Sequence, residues 1–127
     1  MADTVHEVPA DLWVTATAGV NAAVTCTLPA AGAGLFHYIV FIQLVKLYSV
    51  VGVASGAGVI VTSTNLPGNP SWTTEQLASP AGTASSVILM TPCIPIKSAA
   101  ANSDTTLVAP AKLQTIWRWN VVYYTAP

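Results

Sequence analysis

Apolar and polar side chains alternate one by one over short stretches of this chain, and proline, glycine and asparagine separate the stretches. Val24, Cys26 and Leu28 fall on one side of an extended segment, with Thr25 and Thr27 on the other. A period of two is that of a strand with one buried face, and no stretch shows a sustained 3.6-residue apolar period with caps. The pattern predicts strands over Leu12–Thr17, Ala22–Leu28, Phe36 to Val50, Val59–Thr64, Ser85–Met90, Thr105–Ala109 and Thr115–Thr125. Turns are expected at Gly19 and Asn21, in the Pro29–Gly34 loop, at Gly56-Ala57-Gly58, and through Asn65-Leu66-Pro67-Gly68-Asn69-Pro70. There proline lacks a donor for the ladder, and glycine and asparagine accept left-handed dihedrals.

Two segments depart from simple alternation. The longest predicted strand sets Ile39, Phe41, Gln43, Val45 and Leu47 on one side and Tyr38, Val40, Ile42, Leu44 and Tyr48 on the other. Both sides are apolar, whereas an antiparallel sheet ordinarily keeps one face wet. Such a strand is central, covered once by its own core and once by something else, and another subunit would serve. The last strand lines up Thr115, Trp117, Trp119, Val121 and Tyr123 opposite Ile116, Arg118, Asn120, Val122 and Tyr124. About eight short strands with this punctuation predict a single all-β domain, a β-sandwich of jelly-roll type, over residues 12–127. Residues 1–11, which hold Asp3, Glu7 and Asp11, read as a solvated N-terminal arm.

Composition sharpens the picture. Only 7% of the 127 residues are Asp, Glu, Lys or Arg, against roughly 25% in ordinary soluble domains. A monomer of this size exposes roughly 6,400 Å², or about one ionic group per 700 Å². A coat so poor in charge predicts a subunit covered by neighbours. Lys46, Lys97, Lys112 and Arg118 are dispersed, so the basic stripe that nucleic acid demands is not expected. The apolar run from Leu35 to Val45 is too short for a membrane helix, and Leu47–Val61 is broken by glycines. Met1-Ala2-Asp3-Thr4 opens without the basic region of a secretory signal, which predicts synthesis in the cytoplasm. Cys26 and Cys93 read as two buried thiols, and two cysteines with two histidines supply no metal-ligand spacing.

Candidate chemistry is sparse. Glu75 and Asp104 have no histidine beside them in sequence, His37 stands at a strand entry, and His6 lies in the arm. No catalytic, cofactor or metal site is predicted. The glycines from Gly52 to Gly58 lack the Lys-Ser/Thr ending of a phosphate loop. The aromatic line Trp117, Trp119 and Tyr123 reads first as core, then as a subunit contact, and last as a platform for stacking a sugar or base. Trp72, set among Pro70, Ser71, Thr73 and Thr74, is expected in a loop as an interface anchor. Tyr38 and Tyr48 on the two-sided strand complete the contact candidates.

Three stretches, Leu28-Pro-Ala-Ala-Gly-Ala-Gly-Leu-Phe-His-Tyr, Thr64-Asn-Leu-Pro-Gly-Asn-Pro-Ser-Trp and Ile116-Trp-Arg-Trp-Asn-Val-Val-Tyr-Tyr, resemble small structural proteins of tailed bacteriophages. From Leu12 to Tyr124 the chain resembles their capsid decoration, or cement, proteins. The resemblance implies a β-sandwich homotrimer on the capsid exterior, made in the host cytoplasm. Its partner would be the major capsid protein, whose subunits it would bridge with its arm and loops. It implies no enzyme activity and no cofactor, and it transfers no individual contact residue. The alternative is a phage fibre or tail-associated module binding host carbohydrate through the aromatic line or Trp72.

Overall fold

The computed structural model describes residues 11–48, 58–74 and 80–127. It is all-β, with two antiparallel sheets packed as a sandwich. Nine strands follow in chain order: β1 (Leu12–Thr17), β2 (Val24–Leu28), β3 (Phe36–Tyr48), β4 (Val59–Thr64), β5 (Trp72–Thr74), β6 (Ala84–Met90), β7 (Ile96–Lys97), β8 (Thr105–Ala109) and β9 (Thr115–Ala126). Among the described residues there is no helix, and so none long and apolar enough to cross a membrane. Residues 1–10 of the expected arm, the glycine turn up to Ala57, and Glu75 lie outside the described residues.

One sheet runs β1-β9-β3-β6, with β7 also paired to β3; the other runs β2-β8-β4-β5. The pairings nest, β1 with β9, β2 with β8, β3 with β6 and β4 with β5. Two further pairings, β3 with β9 and β4 with β8, close each sheet. The chain is thus one long hairpin ribbon folded over on itself. Asparagines hold several of its sharp corners, with φ of 63° at Asn21, 57° at Asn65, 44° at Asn69 and 49° at Asn102. In that region a short amide side chain replaces glycine by bonding locally.

Between the sheets lie Val24, Cys26, Leu28, Val59, Val61 and Leu107 from one side and Ile39, Ile42, Leu44, Ile88, Trp117, Trp119, Val121 and Tyr123 from the other. Trp117 and Trp119 are 0% exposed. Their indole N–H groups are satisfied internally, Trp117 Nε1 donating to Pro110 O at 2.9 Å and Trp119 Nε1 to Val24 O at 3.3 Å. A buried polar tip needs such a partner. Each ring contributes at most about 5 kcal/mol from the area it withdraws from water.

The strict alternation expected for the long strand is corrected by a bulge. The register with β9 shifts between Ile39, paired with Tyr123, and Phe41, paired with Val122. The extra residue, Val40, reverses the parity. Ile39 therefore joins Ile42, Leu44 and Tyr48 inside, while Tyr38 shares the outer side with Phe41, Gln43, Val45 and Leu47. Lys46 is also carried inward, with Nζ 5.1 Å from the centre of the Tyr48 ring. That contact offsets part of the cost of burying an ammonium.

Candidate functional site

The two outer faces of the sandwich differ in kind. Outside β2, β8, β4 and β5 stand Thr25, Thr27, Thr62, Thr64, Thr73 and Thr106, with Ile60 and Val108 among them, and the hydroxyls of Thr64 and Thr106 lie 2.6 Å apart. Threonine suits a pleated surface and leaves a hydroxyl for water, so this face is an ordinary wet one. The outer face of the five-stranded sheet carries Trp13, Val122 and Phe41 in one row across β1, β9 and β3, and Ile116, Leu47 and Ala84 in another across β9, β3 and β6. Trp13 is 74% exposed and Leu89, on edge strand β6, is 63% exposed.

Between those apolar rows a polar ladder crosses four strands. Thr15 Oγ1 donates to Asn120 Oδ1 at 3.1 Å, Asn120 Nδ2 to Gln43 Oε1 at 3.0 Å, and Gln43 Nε2 to Ser86 Oγ at 2.9 Å. Arg118 pairs in register with Val45 and Thr17 beside the ladder. At the far end Lys97 Nζ lies 4.0 Å over the Phe36 ring and 5.7 Å from the Tyr38 ring centre. Tyr38 stacks on Tyr124 with centroids 5.0 Å apart and planes 4° from parallel, and its hydroxyl donates to Pro127 O at 2.8 Å. Arg118 and Lys97 are the only ionic side chains that the described strands place on this face.

A buried seam sews the loops together at the end of the sandwich where β3 begins. His37 Nε2 lies 2.7 Å from Pro29 O, and a carbonyl only accepts, so Nε2 carries the proton. In the neutral ring Nδ1 then accepts from the Thr105 hydroxyl at 2.8 Å, and Thr105 Oγ1 accepts from Asn65 Nδ2 at 3.1 Å. Ser98 Oγ accepts from the His37 amide, Asp104 Oδ1 from the Ala30 amide, and Asn102 Oδ1 from the Gly32 amide. His37 and Thr105 are buried with their polar atoms committed to these bonds, and Asp104 clamps a loop. The chemistry this seam offers is structural.

Of the contact candidates read from the sequence, Trp117, Trp119, Tyr123 and Tyr48 are core residues. The aromatic line cannot stack a ligand or meet a partner. Trp72 is not in a loop: it opens β5 and packs, half-buried, against the core. Tyr38 alone stands on the outer face. The exposed Trp13, the Thr15–Ser86 ladder and strand β7 were not singled out in the sequence. Cys93 is exposed rather than buried; Cys26 is buried as expected, and burial pushes its thiol up from 9.0 to about 11. The Tyr123 phenol is also raised, first by burial and then by the charge of Cys26. Among the described residues no group of three or more His, Cys, Asp and Glu could hold a metal ion. Comparison of the chain with protein families, with characterised proteins and with solved structures finds no match.

Proposed function

We propose that this chain is a structural protein of a phage virion, a capsid decoration or cement protein that assembles with its own copies and bridges major capsid protein subunits. The observation that carries the reading is the largely apolar outer face of the five-stranded sheet, on which the described strands place only two ionic side chains, in a chain with nine. A cement protein must bury its flanks against sister subunits and its base against a shell. Neutral contacts suit that task because they keep their strength when salt screens charges over about 10 Å at 0.1 M. We read the nested strand pairing as the winding of a jelly roll, an architecture that viral capsid domains and lectins share. The contact candidates Trp117, Trp119, Tyr123 and Tyr48 take no part in this proposal because they are buried.

The test is co-sedimentation with expanded phage heads that lack this protein, run beside a glycan array. Retention on heads, an increase in their resistance to heat, and silence on the array support cementing. Specific glycan binding with no affinity for heads supports the fibre or tail module instead and removes the proposal.

A further inference from the structure

The outer face of the five-stranded sheet leaves large apolar side chains against solvent at Trp13 and Leu89, while on the opposite outer face, among the described residues, only Ile60 of the large apolar side chains stands exposed amid threonines. Apolar patches of this kind mark a contact surface. We propose that this face packs against the same face of a second copy of the chain. The inference deepens the reading above, on which it rests for the expectation of an oligomer, by naming the surface and its occupant.

Three observations select a second copy. The first is size. The 6, 12, 13 and 7 residues of β1, β9, β3 and β6, at a rise of about 3.4 Å and a strand spacing of about 4.8 Å, give about 600 Å² per copy. The two faces together bury about 1,200 Å², within the range of specific interfaces. The second is charge. A surface that meets its own image gains nothing from ionic side chains of one sign, and this one holds only Arg118 and Lys97. They are separated by the six residues from Arg118 to Tyr124 along β9, about 20 Å and well beyond a Debye length, so no cluster recruits an acidic partner.

The third is the ladder itself. A primary amide has two N–H donors and two acceptor lone pairs. Asn120 and Gln43 each use one donor and one acceptor within the ladder. Each therefore keeps one further donor and one further acceptor for a partner. Equal numbers of both make the ribbon self-complementary, as an isologous contact requires. The apolar rows on either side would shield those bonds from water.

The test uses native mass spectrometry and sedimentation of the full chain. Val45→Glu sets a carboxylate directly across from Arg118 in the β3–β9 register, so the isolated sandwich can pair it, yet a charge enters the middle of the face. Leu89→Lys is a second variant at an exposed edge position that costs the fold little. Thr62→Lys on the opposite sheet is the control. The expected result is an oligomer for the parent chain and the control, and at least a ~100-fold weaker self-association for Val45→Glu and Leu89→Lys, because a charge brought into the face must be stripped of water on assembly, whether paired with Arg118, as in Val45→Glu, or unpaired, as in Leu89→Lys. Their circular dichroism should match the parent. A monomeric parent, or variants that still assemble like the parent, would overturn the proposal. Binding to expanded heads is read separately. Assembly through this face without head binding removes the cement reading alone, and head binding by a monomeric parent removes this inference alone.

Discussion

Asn65 is the residue whose replacement tests the fold most directly. It sits at φ 57° where β4 leaves its sheet. The two protons on its Nδ2 are shared among Thr105 Oγ1 at 3.1 Å, Ser103 O at 3.2 Å and Ala100 O at 3.3 Å, and its Oδ1 accepts from the Ala100 amide at 2.8 Å. Its own carbonyl accepts from the Ala99 amide. Two of the side-chain bonds are partly buried, so water replaces them poorly, and each contributes about 1 kcal/mol. A left-handed alanine adds about 1 kcal/mol of strain. Asn65→Ala should therefore lose about 3 kcal/mol, and Asn65→Gly about 2, since glycine keeps the backbone at ease. Asn65→Asp keeps the acceptor for Ala100 but aims a carboxylate at the Ser103 and Ala100 carbonyls. It should be at least as damaging as alanine at pH 7 and recover as its carboxyl takes up a proton and can donate. The assay is urea unfolding followed by the fluorescence of buried Trp117 and Trp119, at fixed protein concentration because assembly shifts apparent stability. In a thermal scan each kcal/mol corresponds to about 4 °C. A loss under 1 kcal/mol for Asn65→Ala, or no difference between alanine and glycine, would refute the reasoning.

Other outcomes follow from single features. Thiol titration of the native protein should find Cys93 reactive at once and Cys26 only after unfolding. The folded Cys26 keeps its proton up to about 11 while the unfolded thiol loses it near 9.0, so stability is full below pH 9 and falls by about 2–3 kcal/mol as the pH rises to 11. Tyr123 acts in the same direction, and Cys26→Ala should flatten most of that slope; a slope unchanged by the substitution excludes the thiol as its source. Gln114 holds φ 60° with its buried Oε1 lacking a hydrogen-bond partner among the described residues, so Gln114→Gly should raise stability by about 1 kcal/mol after the entropy cost of glycine is subtracted. A lower melting temperature would contradict this. A Cβ on Gly58 would collide with Thr73 Cγ2 and come within 3.2 Å of Thr74 O, so Gly58→Ala should weaken the β4–β5 pairing and increase the exposure of Trp72 to a fluorescence quencher.

The class of fold was legible because alternation is local. Val24-Thr25-Cys26-Thr27-Leu28 needs no partner to declare which side is wet, and Asn65-Leu66-Pro67-Gly68-Asn69-Pro70 announces a reversal by the dihedrals its residues accept. The aromatic line on β9 was legible as one face, and its burial fits its first reading as core. Cys93 was misjudged because apolar neighbours such as Ile94 imply burial only when the segment enters the core, and this one skirts it between β6 and β7. Trp72 was misjudged for the opposite reason. Its flanking proline, serine and threonines signal a turn, but the three residues from Trp72 to Thr74 still find Val59 to Val61 to pair with.

The outer face was hidden by one residue. Reading β3 as a strict two-period puts Ile39 with Gln43 and Val40 with Ile42, and no local property of Tyr38-Ile39-Val40-Phe41 says that one of them must be skipped. The decision belongs to β9, whose Tyr123, Val121 and Trp119 fill the core in unbroken alternation and whose Val122 must then face outward between Trp13 and Phe41. Once β9 is fixed, pairing Phe41 with Val122 brings Gln43 opposite Asn120 on the outer side; a slip of one residue would drive the Gln43 amide into the core. That penalty makes the bulge and the ladder one feature. The same register that keeps an amide out of the hydrophobic interior lines up Thr15, Asn120, Gln43 and Ser86 as a continuous uncharged ribbon across the face proposed for self-association.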